Sequence, residues 1–267
     1  MGISATYSRS PMHDRKGEGQ AWTRRAVAAG IDRYVDGYTL HYTWSLKQKG
    51  FPEFFRGLSP DGASRRLSNS EESAYTHPSD VIKLFARDLY LYGFESVYYF
   101  IARDWIEAGN ILHSGLFDID WRPKLRLLSY AASADAMKTR QLAGMAEPQK
   151  DVEAYLLTDP VDPESCAVVL WKNGGQEEHG SRFKKLPVTV DPVKVRFPAG
   201  RVVSTVDWKL DAIPFQADAP EFEIGSIPVI IYCRRLPDWK RLTPAEWLKA
   251  HKAAAISNSR ANLPGQY

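Results

Sequence analysis

The sequence has little of three things that often reveal a function at once: cysteine, net charge and long apolar runs. Its 267 residues include only two cysteines, Cys166 and Cys233, and these lack the spacing of a metal site. Free buried thiols are the default for such a pair, and a single disulfide is the alternative if the chain is exported. We expect neither a metal nor a cofactor.

The net charge of +3 is small and spread along the chain, which argues against a nucleic-acid partner. No apolar run reaches the length of a membrane-spanning helix, so no membrane span is expected. The N-terminus lacks the pattern of a signal peptide, but the location stays open because a full-length form could be exported. Aromatic residues are abundant at 12%, and their flat faces suit either a core or stacking on a sugar ring.

The first half of the chain alternates between strand and helix patterns. We predict helices over GQAWTRRAVAAGI, over VIKLFARDLYLYG and over RPKLRLLSYAASADAMKTRQLAG, the last closed by Gly144, and a long loop around Gly50 and Pro52. The predicted strands are GISAT, RYVDGYTLHYTW, RLSNSEE and ESVYYFIARDW, the last apolar enough to be buried on both faces. Four successive strand–helix units favour a parallel α/β arrangement.

From about residue 150 the pattern changes to short strands separated by turns, which is typical of a β-sandwich. These strands are VEAYLLT, CAVVLWKN, LPVTVD, VKVRFPAG, RVVSTVDWKL and IPVIIYC. A final helix begins at the N-cap Thr243, with Glu246 placed to complete a capping box. We therefore expect an α/β domain over 1–148, an all-β sandwich over 149–236, and a helix and tail over 237–267.

The order of four motifs resembles a known clan of enzymes. YVDGYTLHYTW, LSNSEES, GFESVYYFIARDW and GLFDIDWRPKLRLLSYAASADAM look like the last strands and last helix of the (β/α)8-barrel retaining glycosidases. That clan includes β-xylosidases, α-L-iduronidases and cellulases. The resemblance covers roughly residues 2–235. It implies the last four βα units of a barrel, a C-terminal β-sandwich, no cofactor, and a glycoside, oligosaccharide or polysaccharide as substrate.

One departure from the clan is plain. A barrel needs eight strands, and the sequence predicts four. The clan's Asn-Glu pair, whose glutamate is the general acid/base, would lie in the other half, and no Asn-Glu dipeptide occurs in this chain. The resemblance thus implies a truncated or split enzyme that is inactive alone, with its barrel completed by a missing segment or by another chain.

The resemblance assigns the nucleophile to Glu71. A retaining glycosidase uses two carboxylates about 5–5.5 Å apart, and barrel active sites lie at the C-terminal ends of strands. Glu71 closes a predicted strand and follows Ser70, as in the clan's Ser/Thr-Glu arrangement. Because side chains alternate along a strand, only one of Glu71 and Glu72 can enter the barrel mouth. Glu72 as nucleophile and a solvated loop acid are the alternatives.

The same resemblance points to residues that would line the sugar site. They are His41, Tyr42, Trp44, Tyr75, Arg103 and Trp105, with Asp104 and His77 as further candidates. Each has a structural alternative: a buried strand histidine, a core tryptophan or ordinary loop packing. For the whole chain, the alternatives are a non-catalytic carbohydrate-binding or structural protein that keeps the fold, and an unrelated α/β plus β-sandwich protein.

Overall fold

The computed structural model describes residues 2–4, 18–40, 50–58, 65–72, 77–107, 109–173 and 190–251. The chain divides by its internal contacts into two compact units. We call the first the parallel unit, and it comprises Met1–Ala74, Arg87–Pro123 and His179–Arg182. The second, the antiparallel unit, comprises Tyr75–Ala86, Lys124–Glu178 and Phe183–Tyr267.

The parallel unit is built on a four-stranded sheet whose strands follow chain order. These strands are β1 (Gly2–Ser4), β2 (Gly37–Leu40), β3 (Arg66–Glu72) and β4 (Ser96–Tyr99), each parallel to its neighbour. The unit also contains helices α1 (Glu18–Ala28) and α2 (Phe51–Arg56), a π-helical turn (Arg87–Leu91), and a hairpin of β5 (Trp105–Glu107) and β6 (Asn110–Leu112). The predicted strand RLSNSEE thus coincides with β3.

The strands β2 and β3 lie in close contact, and α2 packs on one face of the sheet that they form. A Cβ on Gly37 would lie 2.5 Å from the Arg66 carbonyl oxygen, so β2 and β3 require glycine at this position. Tyr38, the residue after Gly37, is buried, and its ring packs against the ring of Phe55 in α2 with centroids 5.6 Å apart. Tyr38 pairs in register with Leu67, which is also buried. Leu67 therefore lies on the face of the sheet that α2 covers.

Three predictions for this unit are wrong. Ile31–Tyr34 form a 3₁₀ turn, so the second strand starts later than the pattern suggested. The predicted loop contains α2, which begins after Gly50 at φ 79°. The fourth strand stops at Tyr99, and Tyr98 is 60% exposed, so β4 is not buried on both faces. A tyrosine carries both an apolar ring and a polar hydroxyl, so its presence in an apolar run does not establish burial.

The antiparallel unit is built on a five-stranded sheet and a two-stranded ribbon. The sheet has the order β11-β13-β9-β8-β7, from β7 (Gln141–Ala146), β8 (Val152–Thr158), β9 (Cys166–Lys172), β11 (Val202–Val206) and β13 (Val229–Cys233). The ribbon pairs β10 (Val193–Arg196) with β12 (Glu221–Ile224). The helices of this unit are α3 (Asp80–Ala86), α4 (Leu125–Met137) and α5 (244–251).

Here too the sequence misplaced some boundaries. Gly144 does not close a helix, because α4 ends at Met137 and Gly144 lies in β7, beside a bulge. The strand β12 was missed, and LPVTVD lies largely outside the described residues. The Thr243 capping box is confirmed: the Glu246 N–H donates to Thr243 Oγ1, and the Thr243 N–H donates to Glu246 Oε2.

One apolar cluster joins the sheet to the ribbon. Alternate residues of β8 and β9, such as Leu156 and Val168, pack in the same buried cluster as Val195 and Phe222 of the ribbon. The intervening residues of β8 and β9, including Tyr155 and Trp171, are also fully buried. Both faces of the central strands are therefore covered, which explains why their sequences read as continuous apolar runs.

Candidate functional site

Glu71 is a buried carboxylate at the end of β3. Its exposed fraction is 9%, whereas the preceding Ser70 is exposed. β3 lies between β2 and β4, and both are parallel to it. Glu71 is therefore an inner-strand residue at the carboxyl edge of a parallel sheet, where α/β proteins place their ligands.

A β-bulge interrupts the pairing of β3 with β4 near the end of the strand. Asn69 pairs with Val97 and Glu72 pairs with Tyr99, so two residues of β3, Ser70 and Glu71, lie opposite the single residue Tyr98. Burial along β3 still alternates, since Asn69 and Glu71 are buried and Ser70 between them is exposed. The bulge therefore interrupts the pairing with β4 just before the end of the strand, and bulges of this kind are common next to active sites. No local sequence pattern indicated it.

Two buried polar residues fix the backbone before Glu71. The Asn69 amide donates to Asp88 Oδ2 on the π-helical turn at 2.7 Å, and both residues are fully buried. Asn69 Oδ1 in turn accepts from the Glu71 backbone N–H at 3.3 Å. These two hydrogen bonds link the bulge to the π-helical turn of the same unit.

Sequence reasoning missed Asn69 and Asp88, although a signal was present. Asparagine is unfavourable inside a strand, and Asp88 interrupts the apolar run of the helix that follows. Two polar residues at positions where the pattern predicts a buried core suggest that their side chains hydrogen-bond to each other.

Arg103 and Trp105 lie after the end of β4, not within the fourth strand as the sequence predicted, and each has an aromatic partner. The Arg103 guanidinium lies over the Trp121 ring, 4.9 Å from its centroid. Trp105 begins β5 and meets Phe100 edge to face with centroids 4.9 Å apart. The structure thus brings Arg103 together with Trp121, a residue that the sequence had not singled out and whose side chain is 59% exposed.

Asp104 is an anchor for the loop after β6. It is 1% exposed, and its Oδ1 accepts from the Gly115 N–H at 2.7 Å. Its Oδ2 lies 3.2 Å from Nδ1 of His113, whose side chain is largely exposed. A Cβ on Gly115 would lie 2.3 Å from the Asp104 backbone nitrogen, so only glycine fits there. Asp104 therefore holds the base of the hairpin together.

His77 belongs to the antiparallel unit and packs against Trp208 with ring centroids 5.1 Å apart. Its Nδ1 accepts from the Ser79 backbone N–H at 3.2 Å. Burial lowers the pKa of His77, and Lys83 adds to the effect while Asp80 opposes it. The neutral imidazole is therefore the form that this packing favours.

The remaining predicted site residues lie outside the described part of the chain: His41, Tyr42, Trp44 and Tyr75. Within the described ranges, no group of three or more His, Cys, Asp or Glu side chains is arranged to hold a metal ion. Among the helices in those ranges, none has the length and apolar character that a membrane span requires.

The chain shares its fold with solved structures although it resembles no family model or curated protein. No protein-family model matches the chain, and no curated protein does. Among solved structures, the chain is similar to a family 39 glycoside hydrolase from the gut symbiont Bacteroides cellulosilyticus WH2, with a TM-score of 0.57 and 13% identity. The match covers 78% of this chain and 46% of that one, so the chain spans about half the length of that enzyme. This likeness shows a mixed α/β, glycoside hydrolase-like fold.

Proposed function

We propose that this chain supplies the nucleophile of a retaining O-glycosidase, with Glu71 in that role. The observation that carries the proposal is a buried carboxylate closing an inner strand of a parallel sheet in a glycoside hydrolase-like fold. The bulge and the Asn69–Asp88 pair support it, because they hold the backbone of Glu71 in one position. A nucleophile must be positioned before the substrate arrives.

In the proposed reaction, a carboxylate oxygen of Glu71 attacks the anomeric carbon as the bond to the leaving oxygen breaks. A second carboxyl group protonates that oxygen and then activates the water that hydrolyses the glycosyl-enzyme ester. We assign this second group to strands that the chain does not contribute. The assignment makes the chain alone incapable of full turnover.

Further strands would complete the sheet. In the part of the chain that the structure describes, β1 and β4 each pair with a neighbour on one side only. Open edges are sites of strand addition. We propose that another chain, or a longer form of this one, supplies a second half-barrel there.

The proposed sugar site and domain limits complete this account. His41, Tyr42, Trp44, Tyr75, Arg103 and Trp105 would line the sugar site. The limits 1–148, 149–236 and 237–267 would mark the half-barrel, a supporting sandwich and the tail. The partners follow from these assignments: a glycoside, oligosaccharide or polysaccharide, with no cofactor, nucleic acid or membrane.

Leaving-group chemistry allows a test on this chain alone. A 2,4-dinitrophenyl glycoside leaves as a stable anion and needs no protonation, so the nucleophile can react without its acid partner. The ester that forms then persists, because no general base activates water. A panel of such glycosides should give a burst of about one dinitrophenolate per chain followed by little turnover.

Two matched variants locate the nucleophile. Glu71→Gln should abolish the burst, and Glu72→Gln should keep it. A burst that survives in Glu71→Gln, or a wild-type chain that gives no burst with any glycoside of the panel, would contradict the proposal.

A non-catalytic carbohydrate-binding protein is the second candidate, and the exposed Trp121 favours it. An exposed indole held by Arg103 offers an apolar face to a sugar ring. Binding of the panel sugars that is lost in Trp121→Ala, without any burst, would favour this candidate over the enzyme.

A further inference from the structure

The two cysteines are far apart in sequence and directly opposite each other in the antiparallel sheet. Cys166 is the first residue of β9, Cys233 is the last residue of β13, and the two are register partners. Both are buried, at 3% and 1% exposed, in the cluster that joins the sheet to the ribbon. Both thiols are free.

Directly opposed residues in an antiparallel pair have Cα atoms about 4.5–5.5 Å apart, depending on whether they exchange hydrogen bonds. Disulfides form when this distance is about 4.4–6.8 Å, so either kind of pair satisfies the requirement. We propose that Cys166 and Cys233 are a redox modification site, which closes to a cross-strand disulfide when the chain meets a low-molecular-weight disulfide such as oxidised glutathione.

The surroundings set the route to this bond. In the reduced protein, the Cys166 thiol donates to the Pro163 carbonyl oxygen at 3.3 Å. Burial raises the pKa of the Cys166 thiol. Burial is also the main cause that raises the pKa of Cys233, to about 12, and the neighbouring Cys166 is the second cause. Few thiolates are therefore present in the closed fold. Oxidation therefore proceeds during folding, or when the ends of these two strands open. Such opening exposes both cysteines together, because they lie at the same end of the sheet, close to the exposed Glu164 and Arg234.

The exchange balances in two steps. One protein thiolate attacks a sulfur of oxidised glutathione, which forms a mixed disulfide and releases one glutathione thiolate. The second cysteine, deprotonated, attacks the protein sulfur of that mixed disulfide and releases the second glutathione. The protein loses two electrons and two protons, and oxidised glutathione becomes two molecules of the reduced form.

The test is to refold the chain in oxidised glutathione, and in parallel in excess reduced glutathione, then quench with acid. Alkylation under denaturing conditions and peptide mapping follow. We expect the oxidised sample to lack alkylation at both cysteines and to yield a linked Cys166–Cys233 peptide. Because the bond closes a long loop, it should raise the melting temperature by roughly 5–15 °C over that of the reduced sample.

Cys166→Ala and Cys233→Ala serve as matched controls. Each leaves one thiol, which should remain alkylatable or carry one glutathione, and neither variant should show the redox-dependent melting shift. Wild-type chain that refolds in oxidised glutathione with both thiols alkylatable, or with two glutathione adducts and no linked peptide, would overturn the proposal. The wild-type mapping decides the matter even if a variant folds poorly.

Discussion

The two units bury residues in different ways. In the antiparallel unit, β8 and β9 each bury six consecutive residues, most of them apolar. In the parallel unit, β4 leaves Tyr98 60% exposed, and the buried residues include the polar Asn69, Asp88, Asp104 and Glu71. Apolar burial is the main source of stability. The antiparallel unit is therefore the better candidate for a supporting core, and the parallel unit for chemistry.

Among the described residues of the antiparallel unit, the buried acid is Glu153. The Tyr155 hydroxyl and the Asn173 amide both donate to the Glu153 carboxylate, and Asn173 Oδ1 accepts from the Trp171 indole N–H. These groups form a network within the strands. The Asn69–Asp88 pair instead leads to the backbone of Glu71, at the end of a strand. A buried acid is thus informative about function only together with what its neighbours position.

The largest expected effect lies in the core of the antiparallel unit. Leu170→Ala in β9 removes a fully buried side chain and should cost about 2–5 kcal/mol in the free energy of unfolding, from lost apolar burial and the cavity that remains. Urea denaturation followed by circular dichroism measures it. Val203→Ala on β11, where the side chain is 57% exposed, is the control and should change this free energy by less than about 0.5 kcal/mol. Equal effects at the two positions would contradict the claim that β9 lies in the stabilising core of the antiparallel unit.

A smaller effect is expected from the polar pair of the parallel unit. Asn69→Ala removes a buried hydrogen bond to the Asp88 carboxyl group and leaves that group without this donor, which should cost about 1–3 kcal/mol. It should also slow the dinitrophenolate burst, because the Glu71 backbone loses its acceptor. The exposed Ser70→Ala is the control in the same strand. A burst rate that Asn69→Ala leaves at the wild-type value would show that the pair is structural only.

The smallest effect concerns pH. The pKa of His77 is lowered below its ordinary value of 6.5, so the folded state binds fewer protons than the unfolded state. The stability that the neutral imidazole contributes is present above about pH 6.5 and is lost as the pH falls through that value. The wild-type melting temperature should therefore fall more than that of His77→Gln when the pH drops from about 7.5 to about 5.5. Parallel decreases in the two proteins would contradict this assignment.

Sequence alone located β3, β8 and the Thr243 capping box, because their alternation, apolar runs and cap residues are local signals. It placed Glu71 at a strand end for the same reason. It failed where the outcome depends on partners distant in sequence. β7 was read as the end of a helix, although its residues pair with β8 across a turn.

The details of the candidate site could not be predicted from the sequence, because they too depend on partners distant in the chain. The bulge at Ser70–Glu71 arises from pairing with β4, and Trp121 becomes notable only because Arg103 lies over its ring. The register of Cys166 and Cys233 also requires knowing that β13 inserts beside β9 rather than following chain order. Strand order is set by the whole sheet, and no local pattern encodes it.

The most direct test of the central claim is to locate a trapped glycosyl group. A 2-deoxy-2-fluoro sugar with a dinitrophenyl leaving group forms the covalent ester and slows its hydrolysis further, so the adduct survives proteolysis and mass mapping. We predict a single adduct on Glu71, with none in Glu71→Gln and an unchanged one in Glu72→Gln. An adduct on Glu72 or on any other residue would contradict the account.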